Sequence, residues 1–168
     1  MGDYMSVSTH GLPEFDFIKF APSYGSSQEL FLALAQIVND KFTISDASKF
    51  AENLVSTHIE RGFGIGDGVA IINMKSEYVS DAIMGFIKLE KPLMLRAPDE
   101  TPCHNIGVLI SPVSSGKSHL QTMARLSRLF KDKTIAQKLA KASSEEVLND
   151  ILEGHAVESS QFDRSEAA

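Results

Sequence analysis

The run Val69-Ala70-Ile71-Ile72, set directly behind glycines at 62, 64, 66 and 68, constrains this chain more than any other segment. Four consecutive apolar residues cannot alternate between core and water, so a strand built from them lies inside a sheet and is covered on both faces. A chain of 168 residues can supply that cover within one domain. The glycines let the backbone turn sharply into the strand, and the charged Lys75 beyond it puts Asn73 at the strand's end. At 43% apolar and 23% charged residues the chain can bury a core, while no apolar run approaches the roughly 20 residues of a membrane span.

The flanking segments provide the covering layers. Ser26-Ser27-Gln28-Glu29 is a capping box that opens a helix with Leu30, Phe31, Leu34, Ile37 and Val38 on one face. Ser45 is placed to cap a second helix, whose stripe of Ala47, Phe50, Ala51, Leu54, Val55 and His58 closes at Gly62. Residues 62–68 read as a loop, and further strand-like segments follow at 82–89, 93–95 and 106–111. Three helical patterns end the domain, at 118–130, at 134–142 and after the box Ser143-Ser144-Glu145-Glu146. This order predicts an α/β fold, a single mixed β-sheet flanked by α-helices over residues 14–153, with polar tails at 1–13 and 154–168.

Sixteen Lys and Arg against twenty-two Asp and Glu leave a formal net charge of -6, and no basic run stands out, which argues against a nucleic-acid partner. Cys103 is the single cysteine, so nothing points to an oxidising compartment and the cytoplasm is expected. His10, His104 and His155 make no metal-ligand spacing with another histidine or with Cys103; no metal and no cofactor is expected. Met1-Gly2-Asp3-Tyr4-Met5-Ser6 fits the loose myristoylation pattern, without the polybasic stretch that would support it.

Two nucleotide motifs fail on context. The glycines at 62 to 68 give no G-x-G-x-x-G frame and precede a strand, whereas a dinucleotide fingerprint opens a helix. Gly116-Lys117-Ser118 ends a strand-loop-helix passage as a P-loop does, but Ser111 stands where its first glycine belongs. What survives is a helix N-terminus with free N–H groups and Lys117, which suits an anion. His119 sits in the first turn of that helix, where the dipole opposes protonation; a neutral ring there can donate to an oxyanion, or can simply be a buried histidine satisfied by a carbonyl.

Five segments carry a resemblance: Gly64-Ile65-Gly66-Asp67-Gly68-Val69-Ala70-Ile71; Leu89-Glu90-Lys91-Pro92 with Ala97-Pro98-Asp99; Val108-Leu109-Ile110-Ser111-Pro112; His119-Leu120-Gln121-Thr122-Met123-Ala124-Arg125-Leu126-Ser127; and Ser144-Glu145-Glu146-Val147-Leu148. In this order they resemble the enzyme IIA domain of the mannitol and fructose class (type 2) of the bacterial phosphotransferase system, including its nitrogen-regulatory member. The resemblance implies that class's α/β sandwich. In that family the strand after the glycine loop runs into Pro-His, and the histidine takes a phosphoryl group from the phosphocarrier protein HPr.

Here the pair is Ile72-Asn73. An asparagine amide has a delocalised lone pair and no useful nucleophilicity, so the resemblance implies that the acceptor is gone and no catalytic residue is expected. The family's Arg-Glu pair in the preceding helix aligns with Thr57-His58, with Arg61 one turn on as a substitute guanidinium, and its second histidine matches His119. A degenerate enzyme IIA domain is implied, more a regulatory or protein-binding module than an enzyme, with an HPr-like phosphocarrier or a regulated protein as partner. Its site is expected to be lined by Asn73, His119, His58, Arg61 and Lys117 and to suit an anion. The competing reading keeps phosphocarrier chemistry with His119 or His58 as the acceptor.

Overall fold

The computed structural model describes residues 14–153; both tails, with His10, His155 and the myristoylation-like start, lie outside the described residues. The elements in chain order are β1 (Phe17–Phe20), α1 (Ser27–Phe42), α2 (Ala47–Arg61), β2 (Gly64–Gly66), β3 (Val69–Ser76), β4 (Ile83–Leu93), β5 (Cys103–Pro112), a 3-10 turn (Val113–Ser115), α3 (Lys117–Lys131) and α4 (Lys133–Lys141). A further helix, α5, covers 145–153. The strands form one mixed sheet in the order β1-β4-β5-β3-β2, so β3 is an inner strand as its apolar run requires. It pairs in parallel with β5 and antiparallel with β2, while β4 runs antiparallel to β5 and parallel to β1.

Strand alternation sends Ala70, Ile72 and Met74 of β3 into a core shared with Leu30, Phe31 and Leu34 of α1 and Phe50 and Leu54 of α2. Val69 and Ile71 face the other way, into a second core closed by Leu126, Leu129 and Phe130 of α3, Ile135 and Leu139 of α4, and Leu148 and Leu152 of α5. Each face of the sheet is thus buried under helices, and the result is a three-layer sandwich.

Several boundaries differ from the sequence reading. β3 continues through Asn73 to Ser76, so Asn73 is its fifth residue rather than its end; pairing with β5 as far as Ser76 and Pro112 outweighs the poor strand preference of Asn and Lys. The segments at 82–89 and 93–95 are one strand, β4, whose register breaks between Lys88 and Leu93, where Pro92 removes a ladder donor. β1 and β2 are additional strands. β2 and β3 form a hairpin whose two loop residues, Asp67 (φ 58) and Gly68 (φ 77), both have the positive φ of a type I′ turn, the signal carried by an Asp-Gly pair. Asp46 caps α2 in place of Ser45, accepting from the Lys49 N–H at 3.0 Å, and Ser144 rather than Ser143 caps α5, accepting from Val147 at 3.2 Å.

Two cations close helix ends, Lys88 from β4 and Arg96 from the loop that follows it. Lys88 Nζ donates to the carbonyls of Leu139, Ala140 and Ala142 at 2.6, 3.2 and 3.1 Å, closing the C-terminus of α4. Arg96 donates to the carbonyls of His58 and Ile59 and does the same for α2. Gly107 leaves room for the Phe130 ring of α3 on the sheet, since a Cβ there would lie 2.6 Å from Phe130 Cε2. Gly107→Ala is therefore expected to cost about 1–3 kcal/mol in urea unfolding through overpacking. Adding Phe130→Leu should recover part of that loss, and strictly additive losses in the double-mutant cycle would refute the contact.

Candidate functional site

β3 and β5 run parallel, so their carboxyl ends open on the same edge of the sheet, and β5 passes through one 3-10 turn directly into α3. Three groups meet there: Asn73 from β3, His119 from the first turn of α3, and Arg61 from the last residue of α2. β2 pairs with β3 only as far as Ala70, so farther along β3 the outer edge has backbone groups without a strand partner. Arg61 Nη2 takes one of them, donating to the Asn73 carbonyl at 2.5 Å and to Asn73 Oδ1 at 3.2 Å. Asn73 Nδ2 takes another, donating to the Ile71 carbonyl at 3.1 Å.

His119 is buried, at 6% exposure. Its Nδ1 lies 2.8 Å from Ser111 Oγ and its Nε2 lies 3.5 Å from Asn73 Oδ1. The amide oxygen can only accept, so the proton belongs on Nε2, and Nδ1 accepts from the Ser111 hydroxyl. Burial pushes the His119 pKa below the ordinary 6.5, and the nearby charges of Lys75 and Arg61 push it in the same direction, with no carboxylate among the described residues to offset them. The positive end of α3 acts with them. At neutral pH the ring is therefore neutral, with Nε2–H directed at Asn73 and the Nδ1 lone pair occupied.

The other residues expected in the site sit differently. His58 is buried among aromatics, stacked on Phe63 (5.4 Å between centroids) and edge-on to Phe31 (5.1 Å), and its Nε2 has no partner among the described residues. It lies on the α1–α2 side of the sheet and reaches the site only through Phe63, whose ring carries Arg61 at 5.7 Å. Burial lowers its pKa, and the Arg96 charge adds to this against the opposing Leu95 carbonyl. Lys117 is exposed at the start of α3 and takes part in none of these hydrogen bonds. Ser111 and Lys75, which the sequence reading left out of the site, belong to it; Ser111 could have been found as the last buried polar residue of a strand feeding the helix that bears His119.

Elsewhere the chemistry is quiet. His104 sits half-buried against Gly68 at the opposite end of β5. Cys103 is fully buried, with its thiol pushed up to about 11 by desolvation, so it is not a nucleophile at neutral pH. Among the described residues no three His, Cys, Asp or Glu side chains are grouped to hold a metal ion, and no helix is long and apolar enough to cross a membrane.

The mixed five-stranded sheet between two helical layers is the fold of type-2 EIIA domains, and residues 14–155 match the family described as phosphoenolpyruvate-dependent sugar phosphotransferase system, EIIA 2. The chain belongs to that family. Among its relatives, a nitrogen regulatory protein of Klebsiella oxytoca is 36% identical over 90 residues, covering 53% of this chain and 56% of that protein. A fructose-specific EIIA component of Haloferax volcanii is 25% identical over 119 residues, covering 71% and 77%. The match therefore spans about half the length of the nitrogen regulatory relative. The crystal structure of the nitrogen regulatory protein IIA-Ntr from Neisseria meningitidis superposes with a TM-score of 0.73 at 26% identity, covering 81% of this chain and 92% of that one.

The lowered pKa values of His119 and His58 carry a sign. As pH falls through 6.5 the unfolded chain binds protons that the folded chain refuses, so stability is full above 6.5 and is lost below it, down to the folded midpoints. Urea midpoints should accordingly drop between about pH 7 and about pH 5. In an NMR titration His119 should have its midpoint below 6.5, and Arg61→Gln should raise it; a midpoint at or above 6.5 in the native chain would contradict the geometry.

Proposed function

We propose that this chain is an EIIA domain of the nitrogen-regulatory and fructose kind that works as a regulatory or protein-binding module and does not accept a phosphoryl group from HPr. The observation that carries this reading is the convergence of Arg61 Nη2 and His119 Nε2 on Asn73 Oδ1, at 3.2 and 3.5 Å. Asn73 stands where the family's pattern places the acceptor histidine, and its neighbour is Ile72 rather than proline. The donors that would hold a phosphoryl group are present, but the atom between them is an amide oxygen. Neither nitrogen of His119 offers a free lone pair in this arrangement, because Nε2 carries the proton and Nδ1 is engaged by Ser111.

On this reading the partner is an HPr-like carrier or a regulated protein, and a tetrahedral anion is the small ligand the site suits. The alternative of transfer through His119 rests on its neutral ring, which is the protonation state a nucleophile needs. It requires the ring to give up its bond to Ser111 or to exchange tautomers.

Incubation with phosphorylated HPr from the same host separates the two. The native chain is expected to acquire no acid-labile phosphate, whereas Asn73→His, with Arg61 and His119 still in place, should acquire it on the new ring. Phosphohistidine mapped to His119 in the native chain would reverse the assignment.

A further inference from the structure

The acidic chain carries one basic face. From Lys117 to Lys141, across α3 and α4, there are seven Lys and Arg against the single Asp132, a local charge of +6 within a chain of -6. On α3 the exposed residues Lys117, Gln121, Ala124, Arg128 and Lys131 follow one another at intervals of four and three, which places them in one stripe opposite the buried Leu126, Leu129 and Phe130. On α4, which packs on the same core as α3, Lys138 and Lys141 are also exposed, with Lys141 opposite the buried Ile135 and Leu139. Among the described residues only Lys131 has a carboxylate within 4.0 Å, that of Asp67 at 3.9 Å, and it also donates to the Ile65 carbonyl. The remaining cations of the stripe are held in no ion pair there.

We infer that this face is a docking surface for an acidic segment of a partner protein. With +6 gathered on α3 and α4, the rest of the chain holds a formal -12. A nucleic acid or an anionic membrane extends past the patch and meets that surrounding charge within a Debye length of about 8 Å, whereas a short acidic segment covers the patch alone. The fifteen residues of α3 span about 22 Å, matched by roughly seven residues of extended chain. Five of the seven cations are lysines, whose freely turning ammonium groups suit mobile carboxylates better than fixed bidentate pairing. The competing occupant is a second copy of the chain, because α5 beside this face bears Glu145, Glu146, Asp150 and Glu153. This surface does not depend on the proposed loss of phosphoryl transfer, although Lys117 brings one end of it beside His119.

The test uses a fluorescein-labelled deca-glutamate peptide and the full chain, read by anisotropy. Arg128→Glu/Lys138→Glu/Lys141→Glu is compared with Lys41→Glu/Lys49→Glu/Lys91→Glu, which changes the net charge equally at exposed sites elsewhere. Binding to the native chain should weaken about tenfold between about 50 and about 200 mM salt. At the lower salt the first variant should lose at least about tenfold in affinity, while the second stays within about threefold of native. Equal losses in both variants would reduce the effect to net charge and overturn the assignment, as would no binding at low salt. Tighter binding to a duplex DNA or to phosphatidylserine-containing vesicles than to the peptide would overturn it in favour of those ligands. A dimer in sedimentation that the first variant alone dissociates would give the face to a second copy instead.

Discussion

The parallel pairing of β3 with β5, eight rungs from Val69 and Asn105 to Ser76 and Pro112, is the constraint on which the rest of the molecule depends. Its register is pinned by burial on both faces: a slip of one residue would carry Asn73 and Lys75 into the α1–α2 core and push Ile72 and Met74 out of it. Because the strands are parallel, their carboxyl ends lie together, and the immediate passage of β5 into α3 folds His119 back onto Ser111, eight residues earlier. The site is thus a consequence of sheet geometry, and its side chains contribute little to the cores that hold them in place.

The electrostatics of that edge follow from what is missing there. Arg61, Lys75 and the end of α3 are positive, no carboxylate among the described residues balances them at His119, and the imidazole answers by staying neutral. The Asn73 amide accepts from both Arg61 and His119 without adding a charge. Arg61 is steadied by the Phe63 ring, which also stacks on His58, so the histidine on the far side of the sheet supports the guanidinium indirectly. A carboxylate at position 58 would place charge in that aromatic layer; His58, whose pKa burial lowers, keeps it neutral at neutral pH.

Charge distribution escaped the sequence reading because the basic residues of α3 and α4 are interleaved with apolar ones. No contiguous run stands out, yet helical periodicity collects them on one side. The same holds for Ser111 and Lys75, which look unremarkable in a strand and beyond an apolar run until α3 and α2 are folded over them. Conversely, the Asp-Gly pair at 67 and 68 is a local hairpin signal that the sequence does carry, although the surrounding glycines give the short β2 the look of a plain loop.

The sequence by itself determined the inner strand at Val69 to Ile72, the helices with their apolar stripes, and the family to which residues 14–155 belong, because these rest on local periodicity and on motif order. Tertiary structure alone decided that β3 runs on through Asn73, that His58 lies in an aromatic layer, and that Arg61 and His119 meet on one amide oxygen. Those outcomes join residues as many as forty-six positions apart. Their distances are set by strand register and helix packing across two cores, which no local pattern encodes.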